Sequence, residues 1–274
     1  MSEDSSTYEH PVTPLGRTAR SLLWRRWPEF FIEFVLIIVG ILTALAIDGW
    51  VQERKDRRTE IAYLELLRDD LLLIEGQLQD YVDYETANVA TGAALLHALD
   101  PSNSEHKLAE IQASLSRLSA RKTLQIVSTA FTDLQSTGNL QIIRNQDLRQ
   151  RLIRYFFQSE RTELVIEKNN TAFIDNLYLP FMLNAGITNA YTAPNDPVLI
   201  EAEKLLLSAV GEDSAMPRDE ILGRPPGAPS WDALRRHTLF RTKVATIGVT
   251  AGRRAIVATR EIRTAIEEEL GNPI

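Results

Sequence analysis

The sequence of 274 residues contains no cysteine. This absence excludes disulfide bonds, thiolate metal sites and cysteine nucleophiles. Histidine is scarce as well, because only four occur and none belongs to a spaced pair of the H-x-x-x-H type that binds zinc. The sequence therefore predicts neither a metal site nor a cofactor.

Basic residues are outnumbered in this chain. It has 30 Lys and Arg against 37 Asp and Glu, which gives a formal net charge of -7. A protein that binds nucleic acid needs a concentrated basic surface to contact the phosphates. We therefore expect no nucleic-acid partner. The basic residues that do cluster flank an apolar run, a pattern typical of contact with anionic lipid headgroups.

The sequence motifs of common catalytic sites are also missing. It has no G-x-S-x-G, phosphate-binding loop, G-x-G-x-x-G, H-E-x-x-H or EF-hand spacing. The carboxylate pair Asp69 and Asp70 and the run 267–269 lie in charge runs typical of solvated helix faces. Residues 235–237 (RRH) can bind a phosphate, but a surface cluster on a helix is the favoured interpretation. We predict no catalytic residue and no enzymatic activity.

One apolar run is long enough to cross a membrane. Residues 30–47 contain a single charged residue, Glu33, and a spanning helix needs about 20 mostly apolar residues. Indole rings prefer the two membrane interfaces, so Trp27 and Trp50 would mark the ends of the span. The sequence predicts a transmembrane helix over residues 28–50, with the lipid bilayer as a partner.

A cleaved signal peptide is the alternative interpretation of this run. Residues 44–46 (ALA) have the small-x-small form of a cleavage site after a basic segment. The run is longer than the apolar core of a typical signal peptide, and the helix pattern continues beyond it. These two features favour a retained span.

Clusters of arginine lie on both sides of the span. Arg25 and Arg26 would anchor its first end together with the adjacent Trp27. A short basic tail is easily retained while a longer domain is exported. We therefore expect a single-pass protein of the bacterial inner membrane with residues 1–27 in the cytoplasm and the C-terminal domain in the periplasm.

Four residues of the span fall on one face. Glu33, Gly40, Ala44 and Asp48 lie within roughly an 80° arc at about 100° per residue. Gly40 and Ala44 form a small-x-x-x-small pair, which lets helices approach closely in lipid. We predict that this association face binds a partner helix, either in a homo-oligomer or in another membrane protein.

Two interpretations of Glu33 stay open. It lies within two turns of Trp27, where the helix N-terminus and Arg26 can stabilise its charge without any function. Acidic residues inside membranes are also often functional, which favours a role in oligomer contact or in proton coupling.

The chain beyond the span has the periodicity of helices. Apolar residues recur at spacings of three and four from Leu64 to Tyr81, as in the seam of a coiled coil. The seam then meets Glu85, Asn88 and Gly92, which favours an intramolecular bundle over a coiled coil between chains.

Helix start and stop signals divide the rest of the chain. Ser128 can cap a short helix that Gly138 ends, and Asn145 can cap the next. We predict an all-α fold: a helical bundle over residues 51–183, a proline-rich loop region with a short helix over 184–230, and a C-terminal helix over 231–274 that packs on the bundle.

The chain resembles a family of functionally uncharacterised single-span bacterial membrane proteins, defined by a domain of unknown function. The resemblance rests on the signature E-F-x-L-I-x-x-G-I-L-x-A-L-x-I-D-x-W, which begins at Glu33 and ends at Trp50, and on residues 130–156, which end in an aromatic pair. It implies a membrane anchor with a helical domain. It implies no activity and no site residues.

Three classes of function follow. The favoured one is a membrane-anchored interaction or scaffold protein that self-associates through its transmembrane helix. The second is a sensory or ligand-binding helical bundle. The third is an accessory subunit of an ion-coupled membrane complex that uses Glu33.

Overall fold

The described part of the chain is helical. The computed structural model describes residues 19–100, 108–185, 187, 197–210, 221, 223–224 and 228–271. No strand occurs within these ranges, which confirms the predicted all-α class. Most of the predicted proline-rich region and residues 1–18 of the predicted N-terminal tail lie outside the described residues.

Seven α-helices and two short helical segments of other types occur in the described ranges. The α-helices are α1 (Ala19–Ala98), α2 (Leu108–Ser119), α3 (Thr129–Ser136), α4 (Gln146–Asn169), α5 (Leu179–Asn184), α6 (Pro197–Val210) and α7 (Pro229–Gly271). A 3-10 helix covers Asn139–Ile142, and a π-helix covers Asn170–Tyr178. Helix α6 lies where the sequence predicts a short helix.

The chain divides into two compact units, Met1–Thr59 and Glu60–Ile274. In the first unit, every described side chain from residue 31 to residue 56 is exposed. An 18-residue window of α1 there has a mean hydropathy of 2.4 with none of it buried. The predicted apolar helix is therefore present as a candidate membrane span.

The second unit has two apolar cores. The first joins α1 from Leu64 to Val82 with α3, α4 and the last part of α7. The second joins the end of α1 with α2, the segment from Tyr178 to Ile187 and the start of α7. A protein interior is close-packed, so each helix in these cores is held by its neighbours along its whole buried side.

The seam of α1 packs within the chain. Its six residues are at most 2% exposed: Leu64, Leu67, Leu71, Ile74, Leu78 and Tyr81. All six belong to the first core, together with apolar residues of α3, α4 and α7. The bundle interpretation of the seam is therefore confirmed, and no exposed part of the seam is left for a coiled coil between chains.

Helix α7 runs antiparallel to α1 at very short range. Gly92 of α1 lies against Thr242, and Gly252 lies further along α7 against Val82, which precedes Gly92 on α1. A Cβ atom on Gly252 would come within 2.6 Å of the Val82 side chain. Glycine at such positions allows the two backbones to approach closely.

The start of α3 is fixed by α1. Ser128 accepts a hydrogen bond from the N–H of Phe131 as the predicted N-cap. Its hydroxyl donates to Asp70 at 2.7 Å, and the N–H of Ala130 donates to the same carboxylate at 3.1 Å. The expectation of a solvated face is therefore wrong for Asp70. Gly138 follows the helix with a φ of 72°, as its predicted role in ending α3 requires.

Helix α4 also begins as predicted and then changes its winding. The Asn145 side chain caps its first turn by accepting from the N–H of Leu148 at 3.1 Å. The π-helix follows α4 directly, and at its end the N–H of Leu179 bonds to the carbonyl of Ile174, five residues earlier. Pro180 comes next and lacks an N–H, so the regular α-helical bond is missing at this point of the chain.

Two glycine substitutions should separate close packing from helix propensity. Gly252→Ala forces a methyl group against Val82, so we expect the free energy of unfolding to fall by about 1–3 kcal/mol. Gly76 lies within α1 with nothing within 4 Å of an added Cβ. Gly76→Ala should therefore raise the free energy of unfolding by up to about 1 kcal/mol, because alanine favours the helix.

Urea unfolding of the full chain in detergent, followed by circular dichroism, measures both values. Equal effects of the two substitutions would show that α1 and α7 do not pack at this distance.

Candidate functional site

The predicted association face lies on the exposed part of α1. Glu33, Gly40, Ala44 and Asp48 all belong to the helix, and all four are exposed. A Cβ atom added to Gly40 would meet nothing within 4 Å. The helical period places the four residues on one face. Because all four are exposed, this face is open to a partner.

The predicted interface anchors are described only in part. Trp50 is 57% exposed, and the guanidinium of Arg54 lies 4.8 Å from the centre of its ring. This is a cation–π contact, and the role of Trp50 as an interface anchor stays a prediction. Arg25, Arg26 and Trp27 lie within α1, but their side chains are outside the described residues.

A second site, which the sequence did not predict, lies between the two apolar cores. Four buried residues form this polar layer: Glu85 and Asn88 of α1, and Thr238 and Arg241 of α7. Each is at most 3% exposed. Glu85 and Asn88 looked in the sequence like the end of an apolar seam, but the structure buries them as completely as the leucines before them.

Arg241 is the centre of the polar layer. Its Nη1 lies 3.5 Å from Oε2 of Glu85 and forms an ion pair without the alignment of a hydrogen bond. Its Nε donates to the carbonyl of Leu118 at 2.9 Å, and its Nη2 donates to that of Ala120 at 3.3 Å. Leu118 lies in the last turn of α2, where backbone acceptors lack partners within the helix, and Ala120 directly follows this helix. One guanidinium therefore connects α1, α2 and α7.

Several polar atoms in and beside this layer have no hydrogen-bond partner among the described residues. They are Oδ1 of Asn88, Oγ1 of Thr238 and the hydroxyls of Tyr84 and Tyr178. A buried ion pair adds little net stability, because the loss of solvent around both charges offsets their attraction. A role in positioning the helices therefore explains the polar layer better.

Burial also changes the pKa of the two tyrosines beside the polar layer. Loss of solvent raises the pKa of Tyr178 and of Tyr84 above the usual range for phenols. Asn88 lies near enough to Tyr84 to oppose the rise in its pKa, although the two groups do not align in a hydrogen bond.

The space beside Glu85 is too small for a substrate. A cavity of about 20 Å³ is lined by residues of α1, α4, the π-helix and α7, including Tyr81, Asn170 and Gly248. This volume accommodates a single water molecule and nothing larger. Within the described ranges, no group of three or more His, Asp and Glu residues can hold a metal ion. The absence of a cofactor stays a prediction.

Breaking the buried ion pair tests the polar layer. Arg241→Leu leaves the Glu85 charge buried without its partner and removes the donors to α2, so we expect a loss of about 3–5 kcal/mol in unfolding free energy. The double variant Glu85→Leu/Arg241→Leu should recover part of this loss, because no charge is then buried alone.

The control for the ion pair is Arg236→Leu on the exposed side of α7, which should change stability by less than about 0.5 kcal/mol. Denaturant unfolding of the full chain in detergent checks all three variants. A double variant no more stable than Arg241→Leu would show that the ion pair is not the source of the loss.

Comparison with known proteins places the chain in a family. Residues 33–170 match the model of a family described as of unknown function, DUF6090. The match begins at Glu33 in the candidate span and ends at Asn170, the first residue of the π-helix, so it includes Glu85 and Asn88 and leaves out Arg241. A search of curated proteins and a search of solved structures each found no match. Because the match covers half of the sequence, the chain belongs to the DUF6090 family of proteins of unknown function.

Proposed function

We propose that the chain is a membrane-anchored helical interaction protein that self-associates through the apolar part of α1. The observation that carries this proposal is an 18-residue window with a mean hydropathy of 2.4 and no buried residue. Soluble proteins rarely expose a continuous apolar surface of this extent. A lipid bilayer provides the apolar surroundings that this helix needs, and the helix bonds all of its own backbone groups.

The small residues of the association face support self-association. Open space surrounds Gly40, and Ala44 lies one turn further along the same side. In lipid, helices associate by close packing and by polar contacts, because lipid chains are as apolar as leucine. A second copy of this helix offers a surface of the same shape, so its glycine allows the two backbones to approach.

Glu33 gives the proposed interface its specificity. A carboxyl group at membrane depth is expensive to leave unpaired, so it favours a partner helix with a hydrogen-bonding group at the same level. A carboxylate at the interface that plays no part in association is the competing interpretation. Substitution by Gln separates the two, since it removes the charge and keeps the shape.

Two glycine substitutions test the face. Gly40→Ile should weaken association of the span roughly tenfold, because a branched side chain separates the backbones. Gly49 is the matched control: it is equally free of neighbours, and it lies nine residues away, on the opposite side of the helix. Gly49→Ile should leave association unchanged.

A bacterial two-hybrid assay in membranes measures association of these variants and of Glu33→Gln. Equal association of Gly40→Ile and the parent would remove this face as the interface. If Gly40→Ile weakens association and Glu33→Gln does not, the face stands and the charge of Glu33 has no part in it.

The proposed location is the bacterial inner membrane, with the N-terminus in the cytoplasm and the C-terminal domain in the periplasm. It is supported by the arginines that precede the apolar run, Arg25 and Arg26 among them. Alkaline phosphatase fused after Ile274 should be active, since this enzyme folds only in the periplasm. A fluorescent protein that matures only in the cytoplasm should be dark at the same position, and the opposite pair of results would reverse the topology.

A further inference from the structure

Helices α4 and α7 leave a groove between them in the second unit. They run antiparallel, since Tyr155 bonds to Thr259 at 2.9 Å and Arg151, earlier on α4, donates to the carbonyl of Glu261, later on α7. The groove has a volume of about 520 Å³. Pockets for small ligands usually measure about 300–1,000 Å³, so one small molecule fits, and a helix or a nucleic-acid duplex does not.

Small side chains give the groove its depth. The floor contains Ala251, Ala255 and Ala258 of α7, Ser159 of α4 and the buried Ile262. Val165 also lines the groove and is 45% exposed. Glycines of the same helix face α1, so α7 has a glycine side for packing and an alanine side for the groove. The floor can therefore accept an apolar group.

Arginines surround this apolar floor. Arg151, Arg154 and Arg161 of α4 line it from one wall, and Arg254 of α7 lines it from the other. Glu261 is the one acidic residue among the described lining residues. The chain has an excess of acidic residues overall, so four guanidinium groups around one groove are a local reversal of its charge.

Two of these arginines have no partner in the described part of the chain. No described residue forms an ion pair or hydrogen bond with Arg161 or Arg254. Among the described residues, Arg154 bonds only to the carbonyl of Gln150 on its own helix, at 3.3 Å. Guanidinium groups bind phosphate through paired N–H donors and keep their charge at every physiological pH. The groove therefore offers free donors above an apolar floor.

We propose that the α4–α7 groove binds an amphiphilic phosphate, with the apolar part of the ligand on the alanine floor and the phosphate between Arg161 and Arg254. A phosphate matches this site better than a carboxylate, since it has more acceptor oxygens and can meet donors from both walls. Membrane lipids and soluble phosphate monoesters share this chemistry. This proposal does not depend on self-association of the span. It gives the protein a ligand-binding site in addition to the proposed association face.

Binding is tested on the full chain in nanodiscs of phosphatidylcholine, with radiolabelled octyl phosphate as the probe and empty nanodiscs as the blank. Equilibrium dialysis measures the bound fraction. We expect inorganic phosphate and octyl glucoside to compete at least tenfold less well than unlabelled octyl phosphate, because each has only half of the recognised chemistry. Equal competition by octyl glucoside would overturn the proposal, since the arginines would then have no role.

Matched variants place the probe in the groove. Arg161→Gln/Arg254→Gln should weaken binding at least tenfold, whereas Arg236→Gln/Arg253→Gln, with the same charge change on residues outside the groove, should weaken it less than twofold. Ala255→Leu fills the floor without changing charge and should also weaken binding at least tenfold. Circular dichroism confirms that the variants are folded. Unchanged binding by the Arg161/Arg254 double variant or by Ala255→Leu would overturn the proposal.

The two sources of the phosphate are then separated. Phosphatidic acid is added to the nanodiscs in one arm, and a soluble short-chain phosphate monoester is added to the buffer in the other. Displacement of the probe by phosphatidic acid assigns the groove to a lipid headgroup. Displacement by the soluble ester alone assigns it to a soluble metabolite, and displacement by neither overturns the proposal.

Discussion

The buried ion pair between Glu85 and Arg241 sets the arrangement of the bundle. Arg241 belongs to α7. It holds α1 through this pair and the end of α2 through the carbonyls of Leu118 and of Ala120, which follows the helix. A slip of one turn moves a helix by about 5.4 Å and would place one of these charges in an apolar core. Burying a single charge there costs several kcal/mol. One relative position of the three helices along their axes is therefore strongly preferred.

Helix α7 combines different surfaces because each of its sides meets a different neighbour. Its glycines let α1 approach, Arg241 faces the end of α2, and its alanines line the groove beside α4. In helix α1, the exposure of the apolar side chains changes along the length of the helix instead. In the first unit its apolar side chains are exposed, and in the second its seam is buried. Protein provides the apolar surroundings that the hydrophobic effect requires for the seam, and under the proposed function lipid would provide them for the exposed run.

Much of the fold follows from the sequence because helices depend on local interactions. The apolar period of 3.6 residues identifies the buried seam of α1, and the length of the first apolar run identifies the candidate span. Ser128 and Asn145 bond to backbone groups three residues away, so a cap is visible in a short stretch of sequence. The spacing of Glu33, Gly40 and Ala44 places them on one face for the same reason.

Only the tertiary structure decided which polar residues are buried and which partners they have. Glu85 and Arg241 lie on helices at opposite ends of the second unit's sequence, and no local period links them. Asp70 looked like part of a solvated face, because its acceptor role depends on α3 docking against it. The arginines of the groove come from α4 and α7, and either helix alone shows an ordinary charged surface. The sequence by itself determined the helices, their caps and the candidate span through local bonding and periodicity, whereas the polar layer and the groove exist only where distant helices pack together.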